Sequence, residues 1–406
     1  MNGKTLSRDI AALRYAILAA HPGPVREQND FNPGFNLLSE AEFDSAFEEA
    51  GRQAEAGGEI SFYEAVRRVA GLLALLGDEH TELPFARLDP FAQNNRLPIA
   101  LALEGDALVI VGSDAAGLYP GDTITEINGL PAGPLIREMA GWFSGTAPDM
   151  ASALLGGALE EALLLRFDRP SALDIRCGGR SHTLAFAGTK ARPPLKYAAM
   201  GNAMELTIHS FTGPQDTFAG TIARMFNDIA VLGLEKLVID LRGNKGGVTA
   251  YGDLILDRVA QRPFSQLTAA AIRISPLSRA GFAQYMPPWL VRTGLHRCIP
   301  RYGRLFRARD GAWVDVPFKP VTPRGGFAGL ALEVWVDKAS MSTAALFAAA
   351  VQHDGIGAII GETGGFPSHF GNQFEFVLPE TGLKVLIPVS RNTGHGMSRV
   401  LGKNPK

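Results

Sequence analysis

Two short stretches hold the side-chain types that acyl transfer needs. Lys338-Ala339-Ser340-Met341-Ser342-Thr343-Ala344-Ala345 sets two serines between a β-branched, strand-like run (Leu332 to Asp337) and an alanine-rich helical run (Ala344 to Val351). A serine at such a junction has an exposed Oγ and helix N-terminal amides beside it, which suits nucleophilic attack. The same serine could simply cap the helix. Leu76-Gly77-Asp78-Glu79-His80-Thr81 sets a histidine just after an apolar, helix-like run (Ala70 to Leu76), and His80 is one of eight histidines. A lone histidine in a polar loop is usually a surface residue. The pair alone is therefore not a site.

A third stretch narrows the choice. Leu237-Val238-Ile239-Asp240-Leu241-Arg242-Gly243-Asn244-Lys245-Gly246-Gly247 is an apolar strand running into a turn that ends in paired glycines. Such glycines let backbone approach a ligand and aim N–H groups at it, as an oxyanion hole requires. A plain tight turn is the alternative reading. In order along the chain, the three stretches resemble the tail-specific (C-terminal processing) and tricorn-core serine peptidase family. Its pattern runs Asp-x-His-Thr, then Asp-x-Arg-x-Asn-x-Gly-Gly, then Ser-x-Ser. The resemblance extends to Ala20-His21-Pro22 after the first amphipathic helix. Leu118 to Gly129 looks like the most recognisable stretch of a PDZ domain. Gly361-Glu362-Thr363-Gly364-Gly365 and Leu378 to Leu383 look like the family's turn and hairpin beyond the nucleophile helix.

That resemblance implies a serine endopeptidase acting on peptides or unfolded proteins. It makes Ser342 the nucleophile, Ser340 a supporting hydroxyl and His80 the base. The oxyanion donors would be the N–H of Gly246 or Gly247 together with that of Thr343. The family's Ser–Lys branch carries a lysine after the Gly-Glu-x-Thr turn. Here that position is Phe366 or a neighbour, and no lysine lies between Lys338 and Lys384. A Ser–His mechanism of the tricorn-like branch is the remaining reading, with activity rising as the base loses its proton. Should His80 not be the base, His369 and His395 are the next candidates. The acid that orients the imidazole is expected to be Glu362, with Asp78 and Glu380 as alternatives. Ala345 stands where many Ser–Lys members carry Glu, and Glu79 replaces the small residue usual before the histidine. These departures keep open a non-catalytic ligand- or peptide-binding protein of the same fold.

The elements that must position these residues read as follows. Residues 5–80 are helical, with Ile10, Leu13, Ile17 and Leu18 on one face. A second apolar stripe comprises Phe62, Ala65, Val66, Val69, Leu72, Leu73 and Leu76, broken by Gly77. Arg87 to Arg96 reads as a linker. Strands then dominate to about Lys190 (Ile99–Leu103, Ala107–Val111, Asp122–Ile127, Ala172–Cys177, His182–Phe186). Two helices, Leu135–Trp142 and Met150–Leu164, interrupt them. Beyond Lys196, strands and helices alternate, which implies a mostly parallel sheet with chemistry past its carboxyl edge. The expected class is a multi-domain α/β protein. It has an N-terminal helical segment (1–90), a small β-rich PDZ-like domain (94–190) and a crotonase-like peptidase core (195–406). Residues 262–328 read as an insertion or lid. Asn94 to Ile99 lacks the glycines of a carboxylate-binding loop and Pro98 removes a donor, so weak recognition of free C-termini and a gating role are expected.

Composition excludes several classes. The chain has 406 residues, 46% of them hydrophobic and 20% charged, and a net charge of −2. That is a globular composition without the basic balance of a nucleic-acid binder. Eight arginines between Arg273 and Arg309 are a local exception, a solvated surface or a patch for an acidic substrate or partner. Cys177 and Cys298 make neither a disulfide framework nor a metal site, and no cofactor is implied. No apolar run is long enough to span a membrane. The N-terminus enters a helix without a signal-like apolar core, which implies a cytoplasmic protein or one whose leader has been trimmed.

Overall fold

Apolar residues spaced three and four apart build the first part of the chain into helices Gly3–Ala20, Glu40–Ala56 and Phe62–Ala74. Each starts on a side-chain cap: Asn2, Ser39 in a capping box, and Ser61. The computed structural model describes residues 1–23, 39–85, 89–145, 148–188, 193–299, 303–327, 329–363 and 370–394. Ile10, Leu13 and Ile17 are buried, as is the second stripe except Phe62, which opens its helix and stays 38% exposed. These helices share one hydrophobic core with distant segments. Leu6, Leu13 and Val69 pack in one cluster with Ile272, Ile274, Val314, Val385 and Ile387.

A five-stranded sheet forms the second layer. Its order is Ala358–Gly361, Ala331–Val336, Lys236–Asp240, Ala203–Ile208, Leu195–Met200. The first four run parallel and only the last edge pair is antiparallel. Helices Gln215–Leu232, Thr249–Val259 and Thr343–His353 pack against it through Phe218, Ile255 and Phe347. Both Leu241 and Asp337 therefore leave the sheet at its carboxyl edge.

A separate antiparallel sheet runs Ile99–Glu104, Ala107–Ser113, Thr123–Ile127, Ala172–Cys177, Arg180–Ala185. The helix expected over Met150–Leu164 is two, Pro148–Gly156 and Leu159–Arg166. Gly156-Gly157 separates them, each glycine costing a helix about 1 kcal/mol. Arg87–Arg96 is not a plain linker, although 86–88 lie outside the described residues. Asp89 caps a short helix, Pro90–Asn94, and Asn95–Arg96 pairs with Ala187–Gly188. An Asp-Pro start of this kind is a helix signal that the polar composition hides.

Residues 262–328 carry more structure than a lid. Ala269–Arg273 pairs antiparallel with Trp313–Pro317 on one side and with Ser390–Thr393 on the other. Their five-residue length and small residues leave little periodicity to read, yet alternate side chains are buried. The excursion is thereby stitched to the C-terminal strand. Among the described residues no helix is long and apolar enough to cross a membrane.

Candidate active site

Ser342 begins where the Ala331–Val336 strand gives way to helix Thr343–His353. Its backbone has φ 51° and ψ −126°, a sparsely populated conformation for a residue with a side chain, costing about 1–3 kcal/mol. Ser342 occupies the N-cap position, but its hydroxyl caps nothing. The Oγ lies 3.1 Å from His80 Nε2 instead, across 262 residues of sequence. The capping alternative therefore fails.

The neighbouring loops are clipped together. Ser340 Oγ donates to the Leu241 carbonyl (2.8 Å) and accepts from the Asp337 N–H (3.0 Å). Asp337 Oδ1 accepts from the N–H groups of Gly243 and Ala339 (2.9 and 3.0 Å). Asn244 is fully buried; its amide donates to the Ile208 carbonyl (2.8 Å), and its carbonyl backbone receives the Met341 N–H (2.9 Å). Ser340 thus supports the turn structurally, as a hydroxyl bridging both loops.

Gly246 has φ 97°, and a Cβ there would fall 2.5 Å from Ser342 Cβ and 2.8 Å from the Thr343 nitrogen. Gly247, at φ 138°, would drive a Cβ to 2.3 Å of the Phe211 carbonyl oxygen. Only glycine fits either place. The Gly246 N–H already donates to Asn244 Oδ1 at 2.7 Å. Among the described residues, the N–H groups of Gly247 and Thr343 donate to no protein acceptor. Thr343 Oγ1 donates to the Gly247 carbonyl (2.8 Å), which holds the two together.

His80 is buried and is held in its loop from both sides. Glu82 exchanges backbone hydrogen bonds with Leu386 (3.1 and 2.8 Å), and Gln373 Nε2 donates to the His80 carbonyl (2.7 Å). Asp78 works from within. Its carboxylate accepts from the His80 N–H (3.0 Å), Thr81 Oγ1 (2.5 Å) and His21 Nε2 (2.8 Å). His21 Nδ1 accepts the Gly23 N–H at 2.8 Å, which assigns the ring proton to Nε2 and aims it at Asp78. Burial alone would raise the Asp78 carboxyl, but the His21 hydrogen bond, both histidines and Thr81 hold it below the ordinary carboxylate range. His21 carries no recognised catalytic role in the sequence. The only hint is a His-Pro pair directly after an amphipathic helix.

Two carboxylates flank His80 Nδ1: Glu79 Oε1 at 3.7 Å and Asp78 Oδ1 at 3.9 Å. Glu362 follows Gly361, which pairs with Val336, so it stands at the same sheet end as Ser342. Glu380 is elsewhere, on the turn whose N–H groups Asp9 accepts, beside Arg8 at 3.3 Å. His369 and His395 lie outside the described residues. Asp78, Glu79 and His80 offer ligand atoms within 4.8 Å of one another, a closeness that three consecutive residues in one loop produce and that the hydrogen bonds above employ.

Burial, then the Asp78 charge, pushes the Glu79 carboxyl up to about 8. A carboxyl raised above its unfolded value binds a proton the unfolded chain has released, so stability falls as pH climbs from the ordinary carboxylate range through about 8. Glu79→Gln removes this loss. Between about pH 5 and about pH 9 the wild-type Tm should drop relative to that of the variant. Parallel Tm curves would contradict this.

The comparisons agree with the geometry. Residues 203–393, just under half the chain, match the model of Peptidase family S41. The structure of mature CPAF complexed with lactacystin is similar at TM-score 0.63 and 14% identity, over 100% of this chain and 93% of that one. The photosystem II D1 C-terminal processing protease is similar at TM-score 0.50 and 14% identity, over 99% and 93%. At such identity the likeness is one of fold. A search of curated proteins finds no match. Residues 203–393 thus resemble peptidase family S41, and the chain as a whole shares a fold with proteases of known structure.

Proposed function

We propose that this protein is a serine peptidase working by a Ser–His mechanism on peptides or unfolded proteins, with Ser342 as nucleophile and His80 as base. The observation that carries the reading is the 3.1 Å contact between His80 Nε2 and a Ser342 hydroxyl that caps nothing. Ser342 Oγ attacks the substrate carbonyl while His80 Nε2 accepts its proton and then delivers it to the leaving amine. Water, activated by the same imidazole, releases the acyl group. The N–H groups of Gly247 and Thr343 hold the oxyanion, and Asn244 keeps Gly246 in the shape that aims them. Asp78, anchored by His21, orients the His80 backbone rather than its ring. Glu79 or Glu362 then supplies the acid beside the imidazole.

A fluorophosphonate probe tests this reading. Labelling at Ser342 that His80→Ala prevents is expected. An intact protein that no fluorophosphonate labels is the non-catalytic binder instead.

The finer architecture belongs to the same proposal: a PDZ-like domain over 94–190 and a crotonase-like core over 195–406. Two observations support a covering role for the former. Leu154 and Phe143 pack on Met341, next to the nucleophile. The Leu97 N–H, which a terminal carboxylate would seek, is already held by Glu160 Oε1 at 3.0 Å.

A further inference from the structure

Between Asp257 and Asp310 the sequence holds ten arginines and not one Asp, Glu or Lys, in a chain of net charge −2. The middle of this run folds as helices Pro276–Gln284 and Pro288–Arg292, a 3₁₀ turn Leu295–Cys298 and helix Gly303–Arg307. Its inner side is firmly packed: Phe282 and Leu305 join the main core, and buried His296 stacks edge-on against Phe306 at 4.5 Å. The fold is therefore settled there, and its outer residues are not waiting for a core. Yet Tyr285, Trp289 and Leu295 remain 66%, 61% and 51% exposed. In the same run Arg292, Arg297, Arg304 and Arg309 are exposed, and among the described residues none of the four has an ion-pair partner.

We infer that this arginine and aromatic face docks the protein on an anionic lipid surface. Trp and Tyr favour the boundary between headgroups and acyl chains, and Leu adds apolar area to insert. Guanidinium groups take phosphate oxygens in a fork, and each basic residue near such a surface raises affinity about fivefold. An extended peptide that binds by strand addition would need a free sheet edge. Here the exposed side chains ride on short helical turns, and Pro287 and Pro288 offer no N–H at all. The face also adjoins the catalytic loop. Tyr285 donates to the Gln373 carbonyl, and the Gln373 amide donates to the His80 carbonyl at 2.7 Å. Docking would hold the site close to the lipid surface, where membrane-borne chains are presented.

Co-sedimentation of the full chain with vesicles tests this. Vesicles of equal parts phosphatidylcholine and phosphatidylglycerol should bind it, vesicles of phosphatidylcholine alone should not, and salt should weaken binding. Arg292→Gln with Arg297→Gln should lower the partition about 25-fold, while cleavage of a soluble peptide stays unchanged and vouches for the fold. Tryptophan emission should shift to the blue on binding, and Trp289→Phe should remove most of that shift. Equal binding to both vesicles, or an unaltered partition for the arginine variant, would overturn the inference. Capture by soluble poly-glutamate without vesicle binding would also overturn it, in favour of an acidic protein partner.

Discussion

Ser342→Ala should abolish casein cleavage, lowering kcat by about 10⁶-fold if the pair works as a unit. The Ser342 Oγ faces His80 Nε2 from a loop pinned by Asn244, Ser340 and Asp337. Removing it leaves the loop's own hydrogen bonds untouched, so near-UV circular dichroism should be unchanged. His80→Ala should lose nearly as much. The double variant should be no worse than either single one, because a base without a nucleophile has nothing to activate. Residual cleavage that multiplies the two losses would mean that they act separately. Undiminished cleavage by Ser342→Ala would put the nucleophile elsewhere.

The second large effect should come from one methyl group. Gly246→Ala places a Cβ 2.5 Å from Ser342 Cβ, 2.8 Å from the Thr343 nitrogen and 3.0 Å from the Met341 carbonyl oxygen. None of these is the end of a flexible side chain, so Ser342 or the Thr343 N–H, the proposed nucleophile and oxyanion donor, must move. Displacing one such donor costs about 10²–10³-fold in kcat. The φ of 97° adds about 1–3 kcal/mol of strain to the folded state. Gly243→Ala separates the two contributions. Its φ is 72°, but nothing lies within 4 Å of an added Cβ, so it should lower the Tm and leave kcat nearly intact. Equal kcat losses in both variants would show that backbone strain, not intrusion at Ser342, is responsible.

Features that depend on local sequence were legible. Ser342 stands at a strand-to-helix junction, the paired glycines follow an apolar strand, and the alternating elements beyond Lys196 fold as the parallel sheet they imply. What escaped depends on contacts between distant segments. The His21–Asp78 bond spans 57 residues and the Gln373–His80 bond 293, and no periodicity encodes either. The same holds for the run around Ala269–Arg273. Its five residues look featureless until Ser390–Thr393 pairs with them. Gly246 shows a subtler gap: its identity is legible, but not that its N–H is already held by Asn244.

The route by which His80 reaches Ser342 also sets when the enzyme can first work. His80 is made early and Ser342 262 residues later, about 13–50 s of synthesis at typical rates. Even then the His80 loop lacks the partners that seat it, since Gln373 and Leu386 are translated later still. The helices that carry it likewise bury their apolar faces on Val385 and Ile387. A ribosome-bound chain therefore has its chemistry in pieces. The order of the sequence thus places completion of the proposed site after its last strands are made.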